Sequence, residues 1–430
     1  MSRLLIRNGR VVDPSQGLDQ GMDLLIEDGH VAGLGERLNG RKGTPVLDAA
    51  ELVVAPGFID LHCHLREPGF EYKETIACGL AAAAAGGFTA VCALADTEPV
   101  NDEPAVTRFI RERAEETGAS RLFPVGALSE GRRGDALAEI GEMVKEGAVA
   151  VSDADRAVVN PLLLRRALEY ARSFDVPVMT FPEDPFLTDG GVMNEGPVST
   201  RIGLRGAPAA AEEVMVARDT MIAESVAGRL HLANLSTAIS LDAMRAAKRK
   251  GTEVSCDVTP HHFVLIDEDV AAGKYDPNYK VSPPLRAAAD VEAVLQAIYD
   301  GTVDAIATDH SPHHADEKEL DFADAPSGII GLETAVGLAI DRLLHGRVIG
   351  LSQLVRLFST GPAEVFNLPG GSLRVGEPAD LTLLDLRKRW KVDPTRFRSK
   401  ARNTPFAGRR VKGAAVMTIV AGEIVWQAGR

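Results

Sequence analysis

Apolar residues along this chain gather in short runs separated by longer amphipathic stretches. Eight such runs, LVVAPGFIDLH, FTAVCAL, RLFPVGA, AVAVS, VPVMTF, LHLANL, EVSCDV and VDAIAT, follow one another between residues 52 and 308. Their brevity and β-branched content predict strands. Segments such as PLLLRRALEYARSF and AEEVMVARDTMIAESVAG carry the helical period between them. AAAAAGG, residues 81 to 87, reads as a helix with its glycine stop. Eight alternating strand and helix units predict an α/β fold, a TIM-type (β/α)8 barrel whose chemistry lies at the C-terminal ends of the strands.

The two ends of the chain follow a different rule. LLIRNGRVVD carries a hairpin signal at Asn8-Gly9, and DLLIEDGHVAGLG repeats it at Asp28-Gly29. ADLTLLDL and AAVMTIVAGEIVWQAG, with Gly422 at a turn, give the C-terminal end the same texture. The pattern predicts a composite β-sandwich from residues 1–52 and 367–430 beside a barrel over 53–366.

Composition adds exclusions. The chain has 430 residues, 45% hydrophobic and 25% charged, which suits a globular protein with a large core. Its formal net charge of −14 opposes nucleic acid and anionic membrane as partners. The run Arg387, Lys388, Arg389, Lys391 reads as a solvated face rather than a binding patch. No apolar window is long enough to span a membrane, and MSRLLIRNGRVVD turns polar too early for a signal peptide. Cys63, Cys78, Cys92 and Cys256 form no CxxC pair, so they read as reduced thiols in a cytoplasmic protein, each a small core residue.

Candidate chemistry sits where the barrel rule places it. The first barrel strand ends in His62-Cys63-His64, and residues two apart on a strand share a face, so both imidazoles can reach one zinc ion. The fourth ends in VSDAD, offering Asp153, and the eighth in ATDHSPH, offering Asp309. Taken singly, either aspartate could be a helix N-cap. Taken together, two histidines and two carboxylates form a plausible shell for one cation.

The stretch FIDLHCHLREPGFEYKETI resembles the signature of dihydroorotases in the amidohydrolase superfamily. GGVMNEG, AAEEVMVARD, TPHHF, PPLR, IATDHSPH and GIIGLETA extend the likeness over nearly the whole chain. The resemblance implies the barrel with its flanking sandwich, zinc, and interconversion of N-carbamoyl-L-aspartate and dihydroorotate in pyrimidine synthesis. Hydantoinases and allantoinases, which are cousins, usually carry a carboxylated lysine on the fourth strand, whereas the long bacterial dihydroorotases place an aspartate there, as Asp153 does. It further implies a homo-oligomer and, for some relatives, a complex with aspartate transcarbamoylase.

Four positions depart from the pattern. Phe181 stands where the fifth strand should end in a histidine for a second metal, and Asn234 where the sixth should supply another. A phenyl ring cannot donate to zinc and a carboxamide oxygen does so poorly, so a single zinc per chain is expected, held by His62, His64 and Asp309 with Asp153 alongside. His231, three residues upstream of Asn234, is expected to point elsewhere. Asp96 replaces an asparagine of the substrate pocket, and Ser282 another, while Arg66 and His313 remain to hold the substrate carboxylate. Asp96 would repel that carboxylate unless protonated or paired. Asp309 is the expected acid–base group. Two further readings stay open: a weak or inactive scaffold for aspartate transcarbamoylase, and an amidohydrolase for a cyclic amide without a carboxylate. His261, His262 and His310 are expected to support the site from behind, and Lys73 and Glu74 to pair or face solvent. DAPSGIIG, residues 324 to 331, is expected to cover the mouth.

Overall fold

The computed structural model describes residues 3–429. The chain opens with strands β1 (Arg3–Asp13), β2 (Leu18–Glu27), β3 (His30–Gly35), β4 (Val46–Asp48) and β5 (Val53–Pro56). The barrel follows with β6 (Phe58–Cys63), β7 (Phe88–Ala93), β8 (Arg121–Gly126), β9 (Ala150–Val151) and β10 (Val178–Thr180). A small pair, β11 (Met193–Asn194) and β12 (Gly206–Ala207), stands outside it, and β13 (Leu230–Leu232), β14 (Val254–Val258) and β15 (Ala305–Ile306) complete it. The chain ends with β16 (Leu381–Lys391), β17 (Arg410–Val420) and β18 (Glu423–Gln427).

Each of the eight apolar runs supplies one barrel strand, and the strands pair in chain order, all parallel. Closure between β15 and β6 is made just beyond the strand ends. His64 N–H donates to the His310 carbonyl at 2.9 Å. One layer deeper, the Asp60 carboxylate accepts from Thr308 N at 2.8 Å and from its hydroxyl at 2.6 Å. Helix α1 (Ile76–Gly86) is the alanine-rich segment, capped by Thr75 and ended by Gly87 in the left-handed conformation.

The first apolar run divides. β5 joins the terminal sheet and β6 the barrel, with Gly57 between them. A Cβ at Gly57 would lie 2.1 Å from the Thr89 hydroxyl oxygen, so only glycine lets the chain pass from one sheet to the other.

Both chain ends meet in one mixed eight-stranded sheet, ordered β18-β17-β16-β5-β1-β2-β3 with β4 on β1. It encloses a core of its own that includes Ile6, Leu24, Ile26, Leu381, Leu383 and Ile419. Asp28-Gly29 and Ala421-Gly422 make the expected tight turns, with positive φ at all four residues. Asn8-Gly9 does not. β1 runs straight through it, and the pairing with β2 slips by a bulge between Ile6 and Gly9. Asn8 takes the left-handed conformation there (φ 62°) while its N–H donates to Asp23. The hairpin signal records the backbone conformation; partner strands on both sides of β1 decide that the chain does not reverse.

Cys63, Cys92 and Cys256 are buried as expected, but Cys78 is half-buried at the start of α1, beside Thr75 and Glu74. Among the described residues no helix is long and apolar enough to cross a membrane.

Candidate metal centre and substrate pocket

His62, His64 and Asp309 come together at the C-terminal end of the barrel, their donor atoms all within 4.8 Å of one another. All three are buried, and His62 Nε2 lies 3.4 Å from Asp309 Oδ1. Asp309 holds a left-handed backbone (φ 50°), as do Asn234 (φ 58°) and Arg66 (φ 65°), a clustering of uncommon conformations at strand ends. Burial pushes the His62 imidazole down to about 4 and raises the Asp309 carboxyl well above its ordinary value. Two imidazoles, one of them held neutral, beside a buried carboxyl are the donor set that a borderline divalent cation satisfies.

The unsatisfied atoms point the same way. His62 Nδ1 and His261 Nε2 are buried without a hydrogen-bond partner. Each such atom costs about 1–3 kcal/mol unless something not made of protein meets it. His261 Nε2 stands 3.9 Å from Asp309 Oδ2, so this histidine of the seventh strand end faces the centre. His262 turns away, bonded to Thr259 and to the Pro283 carbonyl.

Asp153 is placed apart from the three. Its carboxylate accepts from Ser129 N at 2.9 Å and from the Ser129 hydroxyl at 2.5 Å, which occupies both oxygens. His310 does not reach Asp309 with its ring; its Nδ1 accepts from Gly331 N, and Nε2 lies 3.5 Å from Glu74. Glu74 neither pairs with Lys73 nor faces solvent. It is fully buried and clamps Ser399 and Lys400, whereas Lys73 pairs with Glu317 at 2.8 Å. A buried carboxylate next to a half-buried lysine in sequence finds its partners across the fold, and no local pattern marks them.

The pocket residues have other partners. Asp96 contacts Arg66, and its Oδ2 stands 2.7 Å from His64 Nδ1, outside hydrogen-bond alignment. Burial alone would raise the Asp96 carboxyl, but His64 and Arg66 outweigh it and hold it well below the ordinary range. Asp96 is therefore ionised and spends its charge inside the protein, on the cation expected to meet substrate. His313 contacts the Ser327 carbonyl through Nε2 at 2.8 Å, and its Nδ1 lies 3.4 Å from Lys73 Nζ. Burial, then Arg66, pushes it down to about 2. Neutral and engaged at both nitrogens, it pins the loop over 324–331 against the barrel mouth. Ser282 donates to Glu183, a carboxyl that burial raises.

Phe181, just past the end of β10, is buried and lines a cleft of about 590 Å³ at the same end of the barrel, with Glu183, Asp155 and three arginines, Arg132, Arg133 and Arg156. His231 points into the barrel wall, between Ser255 and Asp257 at 2.9 Å each.

The sequence reading missed two groups. Asp60 lies below the centre with its carboxyl raised to about 7 by burial; its signal was its place two residues before His62, on the same strand face. Arg286 is the other. It is buried, donates to Ser236 Oγ at 2.9 Å and Asn194 Oδ1 at 3.2 Å, and pairs with Glu212 at 3.3 Å. Glu212 also accepts from the N–H groups of Ser236 and Thr237. GGVMNEG, AAEEVMVARD, HLANLST and PPLR thus converge on one buried polar network.

Two family models match the chain, one described as Dihydro-orotase-like over residues 51–240 and one as Amidohydrolase family over 208–425. A dihydroorotase of Anaeromyxobacter dehalogenans (strain 2CP-C) is 50% identical over 427 residues, 99% of this chain and 98% of that one. A dihydroorotase of Geobacter sp. (strain M21) is 48% identical over 426 residues, 99% of this chain and all of its own. Among solved structures, the L-hydantoinase (dihydropyrimidinase) of Arthrobacter aurescens superposes with a TM-score of 0.90 at 23% identity, covering 100% of this chain and 97% of that one, which speaks for the fold. With full-length identity of that order and a barrel whose strand ends gather His62, His64 and Asp309, the chain belongs to the dihydroorotase family of the amidohydrolases.

Proposed function

We propose that this protein is a metal-dependent cyclic amidohydrolase that interconverts dihydroorotate and N-carbamoyl-L-aspartate, with one zinc ion per chain, in pyrimidine synthesis. The observation that carries the reading is the buried trio of His62, His64 and Asp309, in a chain whose full-length relatives are named dihydroorotases. These three residues would hold the cation, and Asp153, bound to Ser129, would support the wall beside it. When bound, the cation supplies Lewis acidity and lowers the pKa of water. Asp309 accepts the proton of the attacking water and returns it to the ring nitrogen as the amide C–N bond breaks. His62 remains neutral near pH 7 and presents a lone pair rather than a charge.

Recognition of the carboxylate is the adapted part. Arg66 is partly neutralised by Asp96, so the arginines of the cleft beside Phe181 carry more of the attraction. Asp96→Asn is expected to free Arg66 and lower the KM for dihydroorotate by about tenfold, the effect of removing a little over 1 kcal/mol of repulsion. Steady-state kinetics with metal content checked in parallel measures it, and an unchanged KM would show that Arg66 does not meet substrate. Phe181→His with Asn234→His is expected to raise the metal content from about one ion per chain toward two, by restoring two imidazole donors. Metal analysis of the purified double variant decides the point.

The direct test is hydrolysis of dihydroorotate, and ring closure of carbamoyl aspartate, with zinc added and with a chelator. Turnover that the chelator removes and zinc restores supports the reading. A zinc-loaded chain without turnover, which instead restores assembly of aspartate transcarbamoylase, would overturn it in favour of a scaffold.

A further inference from the structure

A second cleft, of about 820 Å³ and lined by none of the residues of the metal centre, lies between the end of α1 and strands β16, β17 and β18. Both tryptophans of the protein, Trp390 and Trp426, line it, together with Lys388, Lys391, Arg396 and Arg398. The basic run of β16 is divided between the cleft, which Lys388 and Lys391 line, and the opposite side of the strand. Arg387 turns to the other side and pairs with Glu51, while Lys388 and Trp390, two residues apart, line the cleft. Among the described residues, none of the four cations has a carboxylate within 4.0 Å. The two acids of the lining are engaged locally. Glu333 accepts from the N–H groups of Arg398 and Ser399, and Asp393 from Thr395. A protein of net charge −14 thus gathers four cations, none of them in a close ion pair, around two indoles in a cleft of ligand size, with Asp393 the carboxylate that feels Arg396 and Lys391.

We propose that this cleft binds a nucleoside phosphate, its base against the tryptophans and its phosphate among the lysines and arginines. Indole faces accept a planar base with little regard to its identity. Guanidinium and ammonium groups recognise phosphate oxygens by charge-assisted hydrogen bonds. Neither element alone selects the ligand; their juxtaposition asks for an aromatic ring and an anion in one molecule.

Because the protein's only tryptophans line the cleft, intrinsic fluorescence reads this site alone. Uridine 5′-monophosphate and adenosine 5′-monophosphate are titrated into the zinc-loaded full chain, with uridine and inorganic phosphate as the two halves of the ligand. The expected result is a saturable change with either nucleotide, half-complete below about 1 mM, with each half at least roughly tenfold weaker. Lys391→Glu with Arg396→Glu, both on exposed side chains, is expected to raise the half-saturation by about tenfold or more while zinc content stays the same. No saturable change with either nucleotide, phosphate binding as tightly as the nucleotides, or an unaltered titration in the double variant overturns the proposal. None of these readouts depends on turnover, so the cleft and the hydrolytic centre stand or fall separately.

Discussion

Asp309→Asn is expected to lose its metal and to hydrolyse dihydroorotate about a thousandfold more slowly, or worse. Asp309 is the one carboxylate of the donor trio, and it stands between His62 on one oxygen and His261 on the other. An amide in its place keeps the shape but removes the anionic donor and the proton acceptor together. Loss of Lewis-acid stabilisation worth several kcal/mol corresponds to that factor in rate. His62→Ala should lose metal in the same way, because it leaves two donors where three are needed. Asp153→Asn should retain the metal, since Ser129 engages both oxygens of that carboxylate and it stands outside the donor trio. Metal analysis of the three purified variants, followed by turnover at saturating zinc, separates these outcomes. Full metal and full activity in Asp309→Asn would remove the centre from the mechanism.

The second large effect concerns stability. Arg286→Met is expected to cost about 3–5 kcal/mol, because it leaves the Glu212 carboxylate buried without its counter-charge. Burial alone would raise the Glu212 carboxyl; Arg286, with Ser236 donating, holds it below its ordinary value. In a chain of this size the loss should appear as a fall of roughly 5 °C in the thermal midpoint. Glu212→Gln added to Arg286→Met should recover part of it, since a neutral buried side chain needs no partner charge. Zinc content should remain unchanged, because the network ties loops together without touching His62, His64 or Asp309. A midpoint within 1–2 °C of the parent in Arg286→Met would show that water already reaches the pair.

These two expectations separate what kinds of residue the chain's motifs contain. His62, His64 and Asp309 were legible because a barrel strand has a defined end and residues two apart share a face. Arg286 and Glu212 were not, although their motifs were noticed as part of the resemblance. Their meaning lies in a contact between segments 74 residues apart in sequence. Asp96 shows the same division. Its identity raised the question of a repelled substrate, but whether it was protonated, paired or free depended on where Arg66 and His64 stood.

The sequence by itself determined the eight strands, the joining of both ends beside the barrel, and the trio at the strand ends, because periodicity and strand polarity are local properties. Only the tertiary structure decided that the Asn8-Gly9 step is a bulge, that Asp153 is held by Ser129, that His313 is spent on a loop and that Lys388 with Trp390 faces a cleft. In each case the outcome turns on which distant group meets a polar or charged atom, and that is settled by packing between segments that no local pattern relates.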